Sequence, residues 1–145
     1  MLDRNIVEVI GKQDLLRMDV GDSVAAAARK MTDYHVGAML VCEDGETCGI
    51  FTERDMLERV VAEGLPSDDT PLRDVMTPHP AAVAAGETVL DAIFAMREHR
   101  SRHLLVRDGE QIVGIVSVRD VLRSVVEDRM AEEQRLVDLW QGFPV

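Results

Sequence analysis

Apolar Val24, Ala27, Ala28 and Met31 recur at the i, i+3, i+4, i+7 spacing of one helical face. Ser23 just before them can cap a helix, and the alanine run has high helix propensity. The spacing predicts a helix over Ser23–Asp33. Val36–Cys42 is a short continuous apolar run, the signature of a buried strand. Glu43-Asp44-Gly45-Glu46 supplies hairpin turn chemistry, and Cys48–Phe51 reads as the returning strand. Thr52–Glu63 reads as a second helix, with Met56, Leu57, Val60 and Val61 lining one face.

The same order returns further along. Thr88–Glu98 reads as a helix, His103–Arg107 as a strand, Asp108-Gly109 as a turn and Ile112–Val116 as the return, with a helix opening near Ser117. Short strands are predicted before each first helix, near Leu15–Met18 and Ala81–Val83. A shift of 65 residues superimposes Val20–Val61 on Ala85–Val126 with 13 of 42 positions identical and no gap. The register holds through Gly49/Gly114 and Arg54-Asp55/Arg119-Asp120, so it is not a coincidence of Ala- and Val-rich helices. Two copies of this length predict an α+β protein of two pseudo-symmetric β-α-β-β-α units. Residues 7–64 make the first unit, 65–70 the Pro- and Asp-containing linker, and 71–129 the second. Residues 130–145 are a helical tail, in which Leu136, Leu139 and Trp140 can dock on the body or on a second subunit.

Composition narrows the function. Lys and Arg number 16 against 27 Asp and Glu, a net charge of −11. Such a chain repels a phosphate backbone and an anionic membrane surface, so neither nucleic acid nor membrane is an expected partner. Aromatics are 3%, too few for base-stacking platforms. The N-terminus lacks a basic-then-apolar secretory pattern, and the 2 Cys then read as free thiols of a cytoplasmic protein. Cys42 and Cys48 flank a hairpin turn and, depending on loop register, can face each other. His35, His79, His99 and His103 lack metal-ligand spacing. No P-loop, Rossmann glycine pattern or Gly-x-Ser-x-Gly occurs, and the chain reads as a non-enzyme.

The strongest chemistry lies at two helix openings. Thr52 and Asp55 are three residues apart, and so are Ser117 and Asp120. One reading is a capping box, as at Thr88-Val89-Leu90-Asp91. The other is ligand binding. A helix N-terminus attracts anions, a Thr or Ser hydroxyl can donate to a phosphate, and Arg54 or Arg119 can add a charge-assisted bond. An Asp carboxylate can accept the vicinal hydroxyls of a ribose. The two roles can coexist on one residue.

Gly49-Ile50-Phe51-Thr52-Glu53-Arg54-Asp55 and Gly114-Ile115-Val116-Ser117-Val118-Arg119-Asp120 carry a family resemblance, together with Val75-Met76-Thr77-Pro78 and Arg102-His103-Leu104-Leu105-Val106. The chain resembles a stand-alone tandem pair of cystathionine-β-synthase-type (CBS) domains. The resemblance implies two units packed through their sheets, often assembled as a homodimer, that bind an adenosine-containing ligand such as AMP, ATP or NAD. No cofactor is required. It gives Asp55 and Asp120 the ribose role and places Lys12 and Thr77 at the borders of clefts. Gly37, Ala38, Met39 and Ile50 would line an adenine slot in one unit, and Arg102, His103 and Ile115 occupy the matching positions in the other. For most of these apolar positions, ordinary sheet core is the competing reading. The implied function is nucleotide sensing that signals to a partner protein; the alternatives are a ligand-free interaction module and a redox protein using Cys42 and Cys48.

Overall fold

The computed structural model describes residues 2–141. Its elements run α1 (Ile6–Ile10), β1 (Arg17–Asp19), α2 (Val24–Asp33), β2 (Ala38–Glu43), β3 (Glu46–Thr52), α3 (Glu53–Asp55), a π-helix (Met56–Val61), α4 (Leu72–Val75), β4 (Thr77–Pro78), β5 (Ala82–Ala84), α5 (Val89–His99), β6 (His103–Asp108), β7 (Gln111–Ser117) and α6 (Val118–Gln141). The fold is mixed α and β, with one sheet ordered β1-β2-β3-β4 and another ordered β5-β6-β7.

The repeat is visible in the pairing. In each unit the first strand runs parallel to the second, which turns antiparallel into the third. Both hairpins carry a bulge at the same place, after Val41 and after Val106. Asp44 and Gly45 both have positive φ, the geometry a two-residue hairpin needs. The second turn sits one residue later than expected. Asp108 pairs with Gln111, so Gly109 and Glu110 are its central residues, and only Gly109 has positive φ.

Residues Asp14–Pro80 form one compact unit; those up to Gln13 join those from Ala81 onward in the other. The chain therefore trades segments between its repeats. Ile6 is fully buried in a core with Val83, Val89, Met96, Leu104 and Val116. The Ile6 N–H donates to the Glu87 carbonyl at 2.9 Å, and Arg4 pairs with Asp128 on α6 at 2.9 Å. In the Asp14–Pro80 unit, Leu72 and Val75 enter the core of Val24, Met31, Met39, Val41 and Phe51. Residues 65–70, read as a linker, are anchored there too. Thr70 is buried, its hydroxyl donates to the Pro66 carbonyl at 2.7 Å, and the Ala25 N–H donates to Ser67 at 2.9 Å.

Three expectations change. The helix after Thr52 is not a regular α-helix: after three residues it widens into the π-helix. Leu57 and Val61 do not join its buried face; each is 63% exposed, while Val60 is buried. Met56 and Val60 pack on the core, and the residue following each of them, Leu57 and Val61, is turned away from it. The same holds on α6, where Val121 is buried and Leu122 and Val126 are exposed. Finally, α6 runs unbroken to Gln141, and Leu136 and Leu139 stay exposed instead of docking on the body. The Trp140 side chain and residues 142–145 lie outside the described residues.

Candidate functional site

Each third strand ends in a hydroxyl residue that caps the following helix. At the first junction the Thr52 hydroxyl accepts the Asp55 N–H at 3.1 Å and donates to Asp55 Oδ2 at 3.1 Å, while the Thr52 N–H donates to Oδ2 at 3.0 Å. At the second, Ser117 makes the same three bonds with Asp120 at 2.8, 2.8 and 3.1 Å. Thr88 and Asp91 repeat the box at 2.9, 2.9 and 3.2 Å. Capping is thus present at all three, and what separates them is the rest of each carboxylate's surroundings.

Asp55 is enclosed. The Thr77 hydroxyl donates to its Oδ1 at 3.1 Å, and Arg59 Nε lies 3.5 Å from the same oxygen. Arg59 also donates to the Met76 carbonyl at 2.8 Å. The Asp55 side chain is only 9% exposed. Asp120 is open. Among the described residues its Oδ1 meets only Arg123, at 3.8 Å, and its side chain is 26% exposed.

The arginines differ as well. Arg54 is tied to Glu58 at 2.8 Å, and that hydrogen bond and charge hold its guanidinium more firmly protonated than usual. Arg119 and Arg102 are exposed and make no side-chain hydrogen bond or ion pair among the described residues. The Arg102 carbonyl accepts the Val118 N–H at 2.9 Å, which sets that residue beside the first turn of α6. At the equivalent place in the other unit, Gly37 accepts the Glu53 N–H at 3.0 Å. A Cβ on Gly37 would lie 3.3 Å from the Glu53 carboxylate. At this position one unit presents Arg102 and the other a glycine beside the Glu53 carboxylate.

The glycines opening both motifs have a packing reason. A Cβ on Gly49 would sit 2.6 Å from Met76 Sδ and 2.9 Å from the Thr77 carbonyl. One on Gly114 would strike Ile10 and lie 3.1 Å from Gln13 Oε1. These are the traded segments, pressed against β3 and β7. Thr77 accordingly lies with Thr52 and Asp55, while Lys12 lies in the unit that holds Ser117 and Asp120. Lys12 is exposed and makes no hydrogen bond to Asp120 among the described residues.

The apolar candidates divide. Met39 is fully buried in its core and Ile50 is buried, while Gly37 and Ala38 are half-buried. His103 and Ile115 are half-buried, and His103 lies opposite Ser117 across the β6–β7 pair. Arg59, Glu53 and Gln13 are not among the residues that the sequence singles out for the site. Arg59 had a local signal, since it follows Asp55 at i+4.

The cysteines do not face each other. The bulge sets Cys42 opposite Thr47, with Sγ and Oγ1 3.8 Å apart, and Cys48 is the extra residue, 3.5 Å from the Val41 carbonyl. Both are free thiols. Burial, followed by the nearby Glu43 and Cys42, pushes the Cys48 thiol up. Among the described residues no three His, Cys, Asp or Glu side chains gather to hold a metal. No described helix is long and apolar enough to cross a membrane.

Comparison with known proteins agrees with the geometry. The CBS domain model matches residues 6–62 and 72–127. The chain is 38% identical over 126 residues to the mitochondrial CBS domain-containing protein CBSX3 of Arabidopsis thaliana, covering 83% of this chain and 61% of that one. It is 37% identical over 110 residues to the uncharacterized protein YlbB of Bacillus subtilis, covering 74% of each. The chain thus spans about three-fifths of the length of the Arabidopsis relative. Among solved structures, an uncharacterized conserved protein from Pyrococcus horikoshii matches with a TM-score of 0.79 at 31% identity, over 86% of this chain and 94% of that one. Two matched domains, a repeated hairpin with a repeated bulge, and two hydroxyl–acid junctions in register lead to one assignment: the chain belongs to the CBS domain family, as a tandem pair.

Proposed function

We propose that this chain is a non-catalytic regulatory module that binds an adenosine-containing ligand, such as AMP, ATP or NAD, and signals its presence to a partner protein in the cytoplasm. The observation that carries this reading is the open junction at Ser117. Asp120 Oδ1 accepts no hydrogen bond among the described residues and faces only the exposed Arg123 there, at 3.8 Å, which leaves it open to a ribose diol beside a long helix's N-terminus and beside Arg102 and Arg119, which make no side-chain pair among those residues. Binding would shift an equilibrium between arrangements of the pair, and the partner would read that shift.

The test is a thermal-shift panel on nucleotide-stripped protein with AMP, ADP, ATP, NAD and S-adenosylmethionine. A ligand that binds only the folded state raises the melting temperature by mass action. The expected result is a rise with one or two of these compounds, lost in Asp120→Ala. No rise with any of them at millimolar concentration would leave the ligand-free interaction module as the reading.

A second observation supports self-association. Leu57 and Val61, and their repeat mates Leu122 and Val126, are all more than half exposed. Equivalent apolar pairs on both repeats suit a second copy of the chain, because a self-complementary contact repeats its own surface. Light scattering should give a dimer mass for the native chain and a monomer mass for Leu122→Ser/Val126→Ser.

A further inference from the structure

We infer that Arg59 and Thr77 act as a built-in latch on Asp55, so that the chain takes one ligand rather than two, at the Ser117–Asp120 junction. This rests on the ligand reading above and deepens it.

A carboxylate offers about four lone-pair positions. At Asp55, Oδ2 accepts the Thr52 N–H and hydroxyl at 3.0 and 3.1 Å. Oδ1 accepts the Thr77 hydroxyl at 3.1 Å and faces Arg59 Nε at 3.5 Å. Thr77 also reaches Oδ2, at 3.4 Å. Both oxygens are engaged, and little of the side chain meets solvent. A ribose diol would have to displace these donors. That would leave Arg59 without its carboxylate and the Thr77 hydroxyl without its acceptor, a cost comparable to the bonds gained.

At the second junction Arg123 faces Asp120 Oδ1 at 3.8 Å from an exposed position, and among the described residues no hydroxyl closes on that oxygen. Thr77 corresponds in the repeat to Lys12, and Arg59 corresponds to Ser124. The Ser124 hydroxyl is buried and donates to the Val121 carbonyl at 2.8 Å, within its own helix. The two residues that close one junction are therefore both replaced at the other. Glu53 beside Gly37 adds a negative charge where the other unit has Arg102, which further disfavours a phosphate.

Isothermal titration of the nucleotide-stripped full chain with AMP, ATP and NAD tests this. The expected result is one site per chain. Asp120→Ala should weaken binding at least tenfold, and Thr77→Val should leave that site unchanged. Arg59→Met/Thr77→Val, which frees Asp55, should raise the stoichiometry to two. Two sites in the native chain would overturn the latch while keeping the ligand reading. So would a double variant that stays at one site. No heat with any of the three compounds would overturn the ligand reading itself, and the latch with it. Circular dichroism of each variant separates a lost site from a lost fold.

Discussion

The side-chain amide of Gln13 pairs with both backbone groups of Ile115. Its Oε1 accepts the Ile115 N–H at 2.9 Å, and its Nε2 donates to the Ile115 carbonyl at 3.1 Å. In the other sheet the equivalent residue, Ile50, pairs with Thr77 of β4. One side chain thus does for β7 what a two-residue strand does for β3.

Replacing Gln13 with Ala should therefore leave two half-buried backbone groups unpaired. The expected loss is about 1–2 kcal/mol, read as a lower urea midpoint with an unchanged slope. Gln13→Glu should also destabilise, because a carboxylate keeps the acceptor but sets charge against the Ile115 carbonyl. A Glu variant as stable as the native chain would contradict this pairing.

Gly49→Ala should be costly without any backbone strain, since its Cβ would meet Met76 Sδ at 2.6 Å and the Thr77 carbonyl at 2.9 Å. Overpacking of this kind costs about 1–3 kcal/mol. Gly86→Ala is the control, because nothing lies within 4 Å of its Cβ. Thermal unfolding of the pair should show a clear fall for the first and little change for the second.

Asp91 gives a pH prediction. The Thr88 N–H and hydroxyl hold its carboxyl below the ordinary value of 3.8. A depressed folded value means that, as acid is added, the unfolded chain takes up the proton first. The contribution is fully present above the unfolded value and fades as pH falls through the folded one. The melting-temperature gap between the native chain and Asp91→Asn should be widest near neutrality and close below about pH 4. A gap that persists at low pH would assign the effect to packing instead.

Cys48 should react slowly. Its thiol is pushed above the ordinary 9.0, chiefly by burial, so less thiolate exists at a given pH. Alkylation at pH 7.5 should lag behind that of a free small-molecule thiol of ordinary pKa. Oxidation to an intramolecular Cys42–Cys48 bond would contradict the observed register, in which Cys42 faces Thr47.

The repeat, the order of elements and the hydroxyl–acid boxes were legible in the chain because they rest on local relations. Helical faces recur every three to four residues, hairpin turns declare themselves in two, and a box spans three. The observed bounds moved by only a residue or two, as at β2, where the apolar run Val36–Cys42 became Ala38–Glu43. The elements missed, α1, α4 and β4, span five, four and two residues, too short to show a period. What tertiary structure alone decided is which segment lies on which sheet, and so which carboxylate is free. Thr77 reaches Asp55 across 22 residues, and Gln13 reaches Ile115 across 102. Such contacts leave no periodic trace in a sequence. They arise because each core selects the apolar segment that fills it, Leu72 and Val75 for one sheet and Ile6 for the other, and the polar neighbours of those segments follow. The sequence by itself placed the same chemistry at both helix openings; packing left one of them closed and the other open.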